Sequence, residues 1–204
     1  MASTLEVFAD ITCPFTHVGL KQVVGHVAEM SEPVEVLVRA WPLEWVNGSP
    51  LDVEAVLVKA AALSDQLGVD DFRGLRADRW PASPIPALEL AAAASARDAA
   101  TGLAVSMELR AALFEQGVDV ADPDALALIA AAHHLDADDP EIGRTIRSDY
   151  EAGQRRGVRG SPHFFMGDDD FFCPALDLGH DADGHLTARF DSAMLADFFA
   201  RVDR

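Results

Sequence analysis

Cysteine is scarce in this chain of 204 residues, occurring only as Cys13 and Cys173. Two thiols do not make the dense staple framework of a small secreted domain, and in a reducing compartment they read as reactive or buried thiols. Basic residues are few as well, with Lys+Arg 16 against Asp+Glu 34 and a formal net charge of -18. That imbalance repels polyanions, so neither nucleic acid nor a membrane is expected as a partner. Long apolar runs are also missing. The start MASTLEVFAD has neither a basic n-region nor an apolar h-region, and no run reaches the roughly 18 residues of a spanning helix. A cytoplasmic location is the expectation. No internal repeat is present. Hydrophobic residues at 50% suffice for a sizeable core in one domain, or in one domain with a large insertion.

Leu5, Val7 and Ala9 alternate with Glu6, Phe8 and Asp10, which predicts a strand. Cys13-Pro14 then opens a helix, with Leu20, Val23, Val24 and Val27 at helical spacing and proline suited to the first turn. The β-branched run Val34 to Trp41 after Pro33 predicts a second strand. Together these form a βαβ unit with Cys13 where the first strand passes into its helix. Pro42 to Pro50 reads as a loop, and from Leu51 to Gly157 strand signals vanish. Helical faces follow there, Leu103, Met107, Ala111 and Phe114, then Leu126, Ile129, Ala130 and His133. Helix starts are expected at Asp122-Pro123 and Asp139-Pro140, and a break at Trp80 to Pro86. After Gly157, His163 to Met166 and Phe171 to Cys173 predict a hairpin turning through Gly167 to Asp170, with Cys173 opposite Phe164. A turn at Asp181 to Gly184, the run HLTARF and a closing helix carrying Leu195, Phe198, Phe199 and Val202 complete the chain. The fold class is α/β, a βαβ…ββα frame at 1–50 and 157–204 interrupted by an all-helical insertion at 51–156.

The stretch ADITCPFTH carries the first chemical signal. A cysteine at a helix N-terminus faces unpaired N–H groups and the positive end of the dipole, which lower thiol pKa values from ~8.5 to roughly 3.5–7.5. Thr16, one turn on, is positioned to donate its hydroxyl to that sulfur. The run Gly157 to Phe164, GVRGSPHF, supplies the second. A cis Ser161-Pro162 bond there would leave the Ser161 backbone free to pair with an extended thiol ligand, whereas an ordinary trans turn would not. Asp10 either relays protons or bonds the turn. His17 either touches substrate or packs at the surface, and the same choice stands for His163. Arg155, Arg156 and Arg159 either hold a ligand carboxylate or complement a helix C-terminus. No metal is expected: His133 and His134 point apart on a helix, and Asp181 to Gly184 lacks the spacing of a calcium loop.

Taken in order, ADITCPFTH, the helical insert, FEQGVDVADPDAL and GVRGSPHFF resemble the DsbA-like branch of the thioredoxin superfamily. Its nearest patterns are FrnE-type oxidoreductases and the group of 2-hydroxychromene-2-carboxylate isomerases and kappa-class glutathione transferases. The resemblance implies a thioredoxin fold, a cis bond at Ser161-Pro162, and Cys13 as the redox or thiol-binding residue. Pro14, Phe15, His17, Ser161, Pro162 and His163 would then line the substrate site, and homodimers are common among such relatives. Departures are informative. Thr16 stands where FrnE-type members carry a second cysteine, Cys13 where the isomerases and transferases carry serine, and Cys173-Pro174-Ala175-Leu176 where a kappa-type member binds its thiol cofactor. The implied activity is single-cysteine thiol-disulfide exchange on a protein or small thiol or disulfide. It needs no tightly bound cofactor beyond a low-molecular-weight thiol, and Cys173 is either a resolving cysteine or a packed thiol. The alternatives are a thiol-cofactor-dependent isomerase or transferase and a retired binding scaffold.

Overall fold

The computed structural model describes residues 3–135 and 142–202; the helix start expected at Asp139-Pro140 lies outside the described residues. Strand β1 (Ser3–Ala9) runs into helix α1 (Pro14–Val27) and returns as strand β2 (Val34–Ala40), parallel to β1. The segment read as a loop holds a short helix, α2 (Leu43–Asn47), because the Pro42 carbonyl accepts the Trp45 and Val46 amides and Gly48 ends the turn at φ 75°. Helices α3 (Val53–Leu67), α4 (Ile85–Arg97), α5 (Ala99–Gln116), α6 (Pro123–Ala132) and α7 (Ile142–Arg156) follow, with one 3₁₀ turn at Ala77–Arg79. Strand β3 (His163–Met166) then pairs antiparallel with β1, and β4 (Asp169–Phe172) with β3, giving the order β2-β1-β3-β4.

The closing ββα is present as β3, β4 and the last helix, with a second hairpin inserted before that helix. Cys173, at φ 51°, and Pro174 turn the chain off the sheet, and β5 (Leu176–His180) and β6 (Leu186–Phe190) make a separate two-stranded sheet before α8 (Ser192–Val202). Proline has no amide to continue the ladder, and a left-handed residue redirects it.

Strand alternation divides the core. Leu5, Val7 and Ala9 pack with Leu20, Val23, Phe164 and Phe198 between the sheet, α1 and α8. Phe8, Trp41 and Phe165 face α7, where Tyr150 and Ala152 meet them. A third cluster joins Ile11, Val18 and Ala40 to the insert through Leu88, Leu109, Leu113 and Phe114, so the insert and the frame share apolar burial. Helix α7 approaches closely because Gly153 has no side chain. A Cβ there would lie 2.5 Å from Trp41 Cζ3 and 3.1 Å from Phe8 Cδ1. Gly153→Ala is expected to cost about 1–3 kcal/mol by overpacking, read as a lower urea midpoint at constant slope.

Candidate active site

The β1–α1 connection carries the chemistry. Cys13 is the N-cap of α1 with extended backbone (φ −79°, ψ 115°), and Pro14 occupies the first turn. Proline there supplies a pre-set φ and gives up an amide that would have no partner anyway. The remaining first-turn amides point their positive ends toward the sulfur side of the helix, a field that favours an anion. The Cys13 thiol is buried, 3% exposed, and donates to the Ser161 carbonyl oxygen at 3.0 Å.

Ser161 is the hub. Its peptide bond to Pro162 is cis, its carbonyl takes the Cys13 S–H, and its Oγ accepts the Asp10 amide at 2.8 Å. Thr16 Oγ1 lies 2.6 Å from Ser161 Oγ. The hydroxyl expected on the Cys13 sulfur is therefore paired with Ser161, and it reaches Cys13 only through that residue. Loss of the thiol proton removes the donor of the Cys13–Ser161 bond and sets two negative oxygen and sulfur ends against each other. Ionisation thus frees the sulfur from the carbonyl. Beside it opens a cleft of about 380 Å³, bounded by Phe15, Ser161, Phe172 and Cys173 among others, within the size range of small-molecule sites.

Beneath Cys13 lie two buried charged groups, Asp10 and Arg110. Asp10 Oδ1 accepts the Thr12 amide and hydroxyl, each at 2.7 Å, and Oδ2 accepts the Leu43 amide at 2.7 Å. Turn bonding, the second of its two expected roles, is what Asp10 does. Burial raises its pKa against these three donors. Arg110 on α5, fully buried, donates Nη1 to the Asp10 carbonyl oxygen at 2.5 Å and to that of Ile11 at 3.4 Å. Burial lowers its pKa to about 10, opposed by the charges of Cys13 and Asp10. It remains a cation at neutral pH within the field of the thiol. By reciprocity its charge attracts the Cys13 thiolate as much as the thiolate holds the proton on Arg110. Asp10→Asn turns an amide N–H₂ toward Thr12 or toward the Leu43 N–H, so about 1–3 kcal/mol of stability should be lost, measured by urea unfolding.

Arg110 escaped the sequence reading because the face followed along α5 was Leu103, Met107, Ala111 and Phe114. Val105, Ser106, Leu109, Arg110 and Leu113 are all buried, and the visible signal was a polar pair, Ser106 and Arg110, one turn apart inside that second apolar face. Both keep unpaired polar atoms, Ser106 Oγ and Arg110 Nε and Nη2.

Cys173 sits two residues along β3 from its expected place, opposite Pro162 and not Phe164. The β3–β4 turn uses only Gly167 and Asp168, so Phe164 pairs with Phe171 and the Cys173 amide donates to the Pro162 carbonyl at 3.1 Å. Four-residue turn chemistry was read where a glycine at φ 57° makes a two-residue turn. Cys173 is consequently beside the Ser161-Pro162 segment and on the cleft wall. Burial pushes its thiol up to about 12, and a Cys13 thiolate adds to the rise.

The histidines take structural positions. His17, fully buried, stacks on Phe114 with centroids 4.8 Å apart, and its Nε2 meets the Asp71 carbonyl at 3.1 Å. One turn beyond Cys13, its ring points into the insert and does not line the cleft. His17, Asp71 and Glu115 bring ligand atoms within 4.8 Å of one another, but the Lys21 ammonium contacts both carboxylates and supplies the positive charge there. His163 shares the Phe165 face of the sheet; its Nδ1 accepts the Arg159 amide at 3.1 Å and its Nε2 donates to Asp170 at 2.8 Å. It too is absent from the cleft wall. Arg156 is held by Glu6 and the Gly167 carbonyl, Arg159 by Asp170, and Arg155 is exposed. His133 pairs with Glu108, and Asp181 accepts the Asp183 and His185 amides of its turn.

Solved structures share this architecture. The cytosolic disulfide reductase DsbM from Pseudomonas aeruginosa, solved with GSH, matches with TM-score 0.64 and 16% identity over 98% of this chain and 100% of that one. A 2-hydroxychromene-2-carboxylate isomerase matches with TM-score 0.62 and 14% identity over 83% and 88%. A probable DsbA oxidoreductase from Streptomyces coelicolor matches with TM-score 0.63 and 20% identity over 83% and 82%. Among curated proteins, none matches the chain by sequence. The family model for a DSBA-like thioredoxin domain matches residues 4–181, and with its cysteine at the head of α1 facing a cis-proline loop the chain belongs to that family.

Proposed function

We propose that the protein is a thiol-disulfide oxidoreductase that works through one cysteine. The observation that carries it is Cys13 at the N-terminus of α1, 3.0 Å from the carbonyl of Ser161, which precedes cis Pro162 and lines the cleft. The Cys13 thiolate attacks one sulfur of a disulfide R–S–S–R′. A Cys13–S–S–R bond forms, the R–S–S–R′ bond breaks, and R′S⁻ leaves and takes up a proton. A second thiol then attacks the mixed disulfide and returns Cys13 as thiolate. Helix amides and Arg110 stabilise the charge, and Ser161, oriented by Thr16 and the Asp10 amide, aligns the partner.

Cys173 is the alternative second thiol. While Cys13 is an anion it raises Cys173; once Cys13 is bound in a mixed disulfide that charge is gone, and Cys173 ionises more readily. Attack by Cys173 on Cys13 Sγ would release RS⁻ and leave a Cys13–Cys173 disulfide for an external thiol pair to reduce. A reducing, cytoplasmic setting suits this chemistry. It agrees with the cytosolic location of the disulfide reductase DsbM, which shares the fold. The test is intact mass after treating reduced protein with oxidised glutathione. One glutathione adduct on wild type, absent in Cys13→Ser, is expected. Unmodified wild type, or an adduct that survives Cys13→Ser, sinks the proposal. Loss of the adduct with two protons missing identifies Cys173 as the resolving thiol; an adduct that persists assigns release to an external thiol.

A further inference from the structure

The cleft beside Cys13 has walls and one charge that the exchange chemistry leaves unexplained. Leu178 and Leu186 of the β5–β6 hairpin face it together with Phe15 and Phe172, so most of the lining is apolar. Lys59 of α3 and His180 stand on the same lining. The chain has only two lysines. Lys21 is clamped by Asp71 and Glu115, whereas Lys59 has no ion-pair partner among the described residues. The arginines nearest in sequence to this wall are committed, Arg159 to Asp170 and Arg189 to Asp177.

An unpaired ammonium on the wall of an apolar cleft is unusual in a chain with 34 acidic residues. A neutral apolar ligand would leave it without a partner, and a cationic one would be repelled by it. Charge complementarity therefore selects an anion, and the apolar walls select a ring or branched chain as the body that carries it. The second hairpin lines one side of the space, whose volume is that of a small-molecule site.

The geometry points to a small disulfide or thiol with an apolar, ring-sized body and one carboxylate as the substrate, its carboxylate on Lys59, its body between Phe172 and Leu178, and its sulfur toward Cys13. This rests on the single-cysteine exchange proposed above. An extended protein strand is the competing occupant that the pocket disfavours.

The experiment compares two aromatic disulfides of similar body, 5,5′-dithiobis(2-nitrobenzoate), which carries carboxylates, and 4,4′-dithiodipyridine, which does not. Exchange rates are measured on wild type, Lys59→Gln and Phe172→Ala, each at low and high salt. Lys59→Gln should lower the ratio of the carboxylate to the neutral rate about three- to ten-fold, the size of one partly screened ion pair. High salt should shrink that drop. Phe172→Ala should slow both aromatic disulfides relative to 2-hydroxyethyl disulfide. A rate ratio that Lys59→Gln does not move, with wild type still reacting, overturns the carboxylate assignment and leaves the exchange chemistry standing. No reaction of wild type with any of the three disulfides overturns the exchange chemistry, and this assignment with it.

Discussion

Arg110→Met lowers folding stability by about 1–3 kcal/mol at neutral pH, because it leaves the buried Asp10 and Ile11 carbonyls without their donor and removes a positive charge that favours the Asp10 carboxylate. The same change slows the reaction of Cys13 with a small disulfide by about ten-fold or more, since one favourable charge interaction of roughly 1.4 kcal/mol is worth that factor. Arg110 is fully buried and bonded to the carbonyls on either side of the Asp10–Ile11 peptide, so both effects come from one guanidinium. The pH dependence separates charge from packing. Burial already raises the Asp10 carboxyl, and removing Arg110 raises it further. A carboxyl whose folded pKa lies above its unfolded value near 3.9 binds its proton more tightly in the folded state. The charge part of the penalty is therefore absent below the unfolded value and grows as pH rises toward the folded one. Urea midpoints of Arg110→Met should approach those of wild type as the solution is acidified. A gap that stays constant with pH would mean that Arg110 acts by its hydrogen bonds and volume alone. Arg110→Lys, which keeps the charge, should recover part of the Cys13 rate.

Acidification should destabilise the wild-type protein through His17. Burial lowers its pKa to about 3, with the Lys21 and Arg110 charges adding, against the smaller opposing pull of Asp71. The unfolded imidazole titrates near 6.5. Above that value neither state is protonated and the contribution is complete. Between about 6.5 and 3 the unfolded chain takes a proton that the folded one refuses, so stability falls as pH falls. The slope is about 1.4 kcal/mol per pH unit, and the total is roughly 4–5 kcal/mol. His17→Phe keeps a ring against Phe72 and Phe114 and loses the bond to Asp71. Its acid limb should be flatter by about one proton, measured as urea midpoints between pH 7 and pH 4. An acid limb identical to that of wild type would assign the titration to another group.

What was legible in the sequence was local. Cys13-Pro14 announces a helix start because a cap and a proline act within one turn, and the alternation of Leu5, Val7 and Ala9 announces β1 because side-chain period is set by the backbone alone. Ser161-Pro162 stood out for the same reason. What was not legible depends on where distant elements land. Arg110 meets Cys13 only because α5 packs under the β1–α1 turn, a hundred residues away in the chain. Thr16 bonds Ser161, not sulfur, because the cis-proline loop fills the space that one turn of helix leaves open. His17 and His163 read as site residues from sequence proximity, yet helix phase and strand alternation turn their rings away from the cleft. Cys173 moved by two residues, from opposite Phe164 to opposite Pro162, because Gly167 makes a shorter turn than the acidic run suggested. The apolar-and-lysine wall came from β5, β6 and α3, and only the tertiary fold brings those together.

Cys13 as the working thiol is tested most directly by mapping alkylation site by site. Reduced, folded protein is treated with iodoacetamide at pH 7, quenched at intervals, and the label on each cysteine is read by peptide mass. Cys13 should be labelled at least about ten-fold faster than Cys173, whose thiol burial has pushed up to about 12, and Arg110→Met should slow the Cys13 rate while leaving Cys173 behind it. Equal slow labelling of both cysteines, released only by denaturant, would contradict thiol catalysis at Cys13.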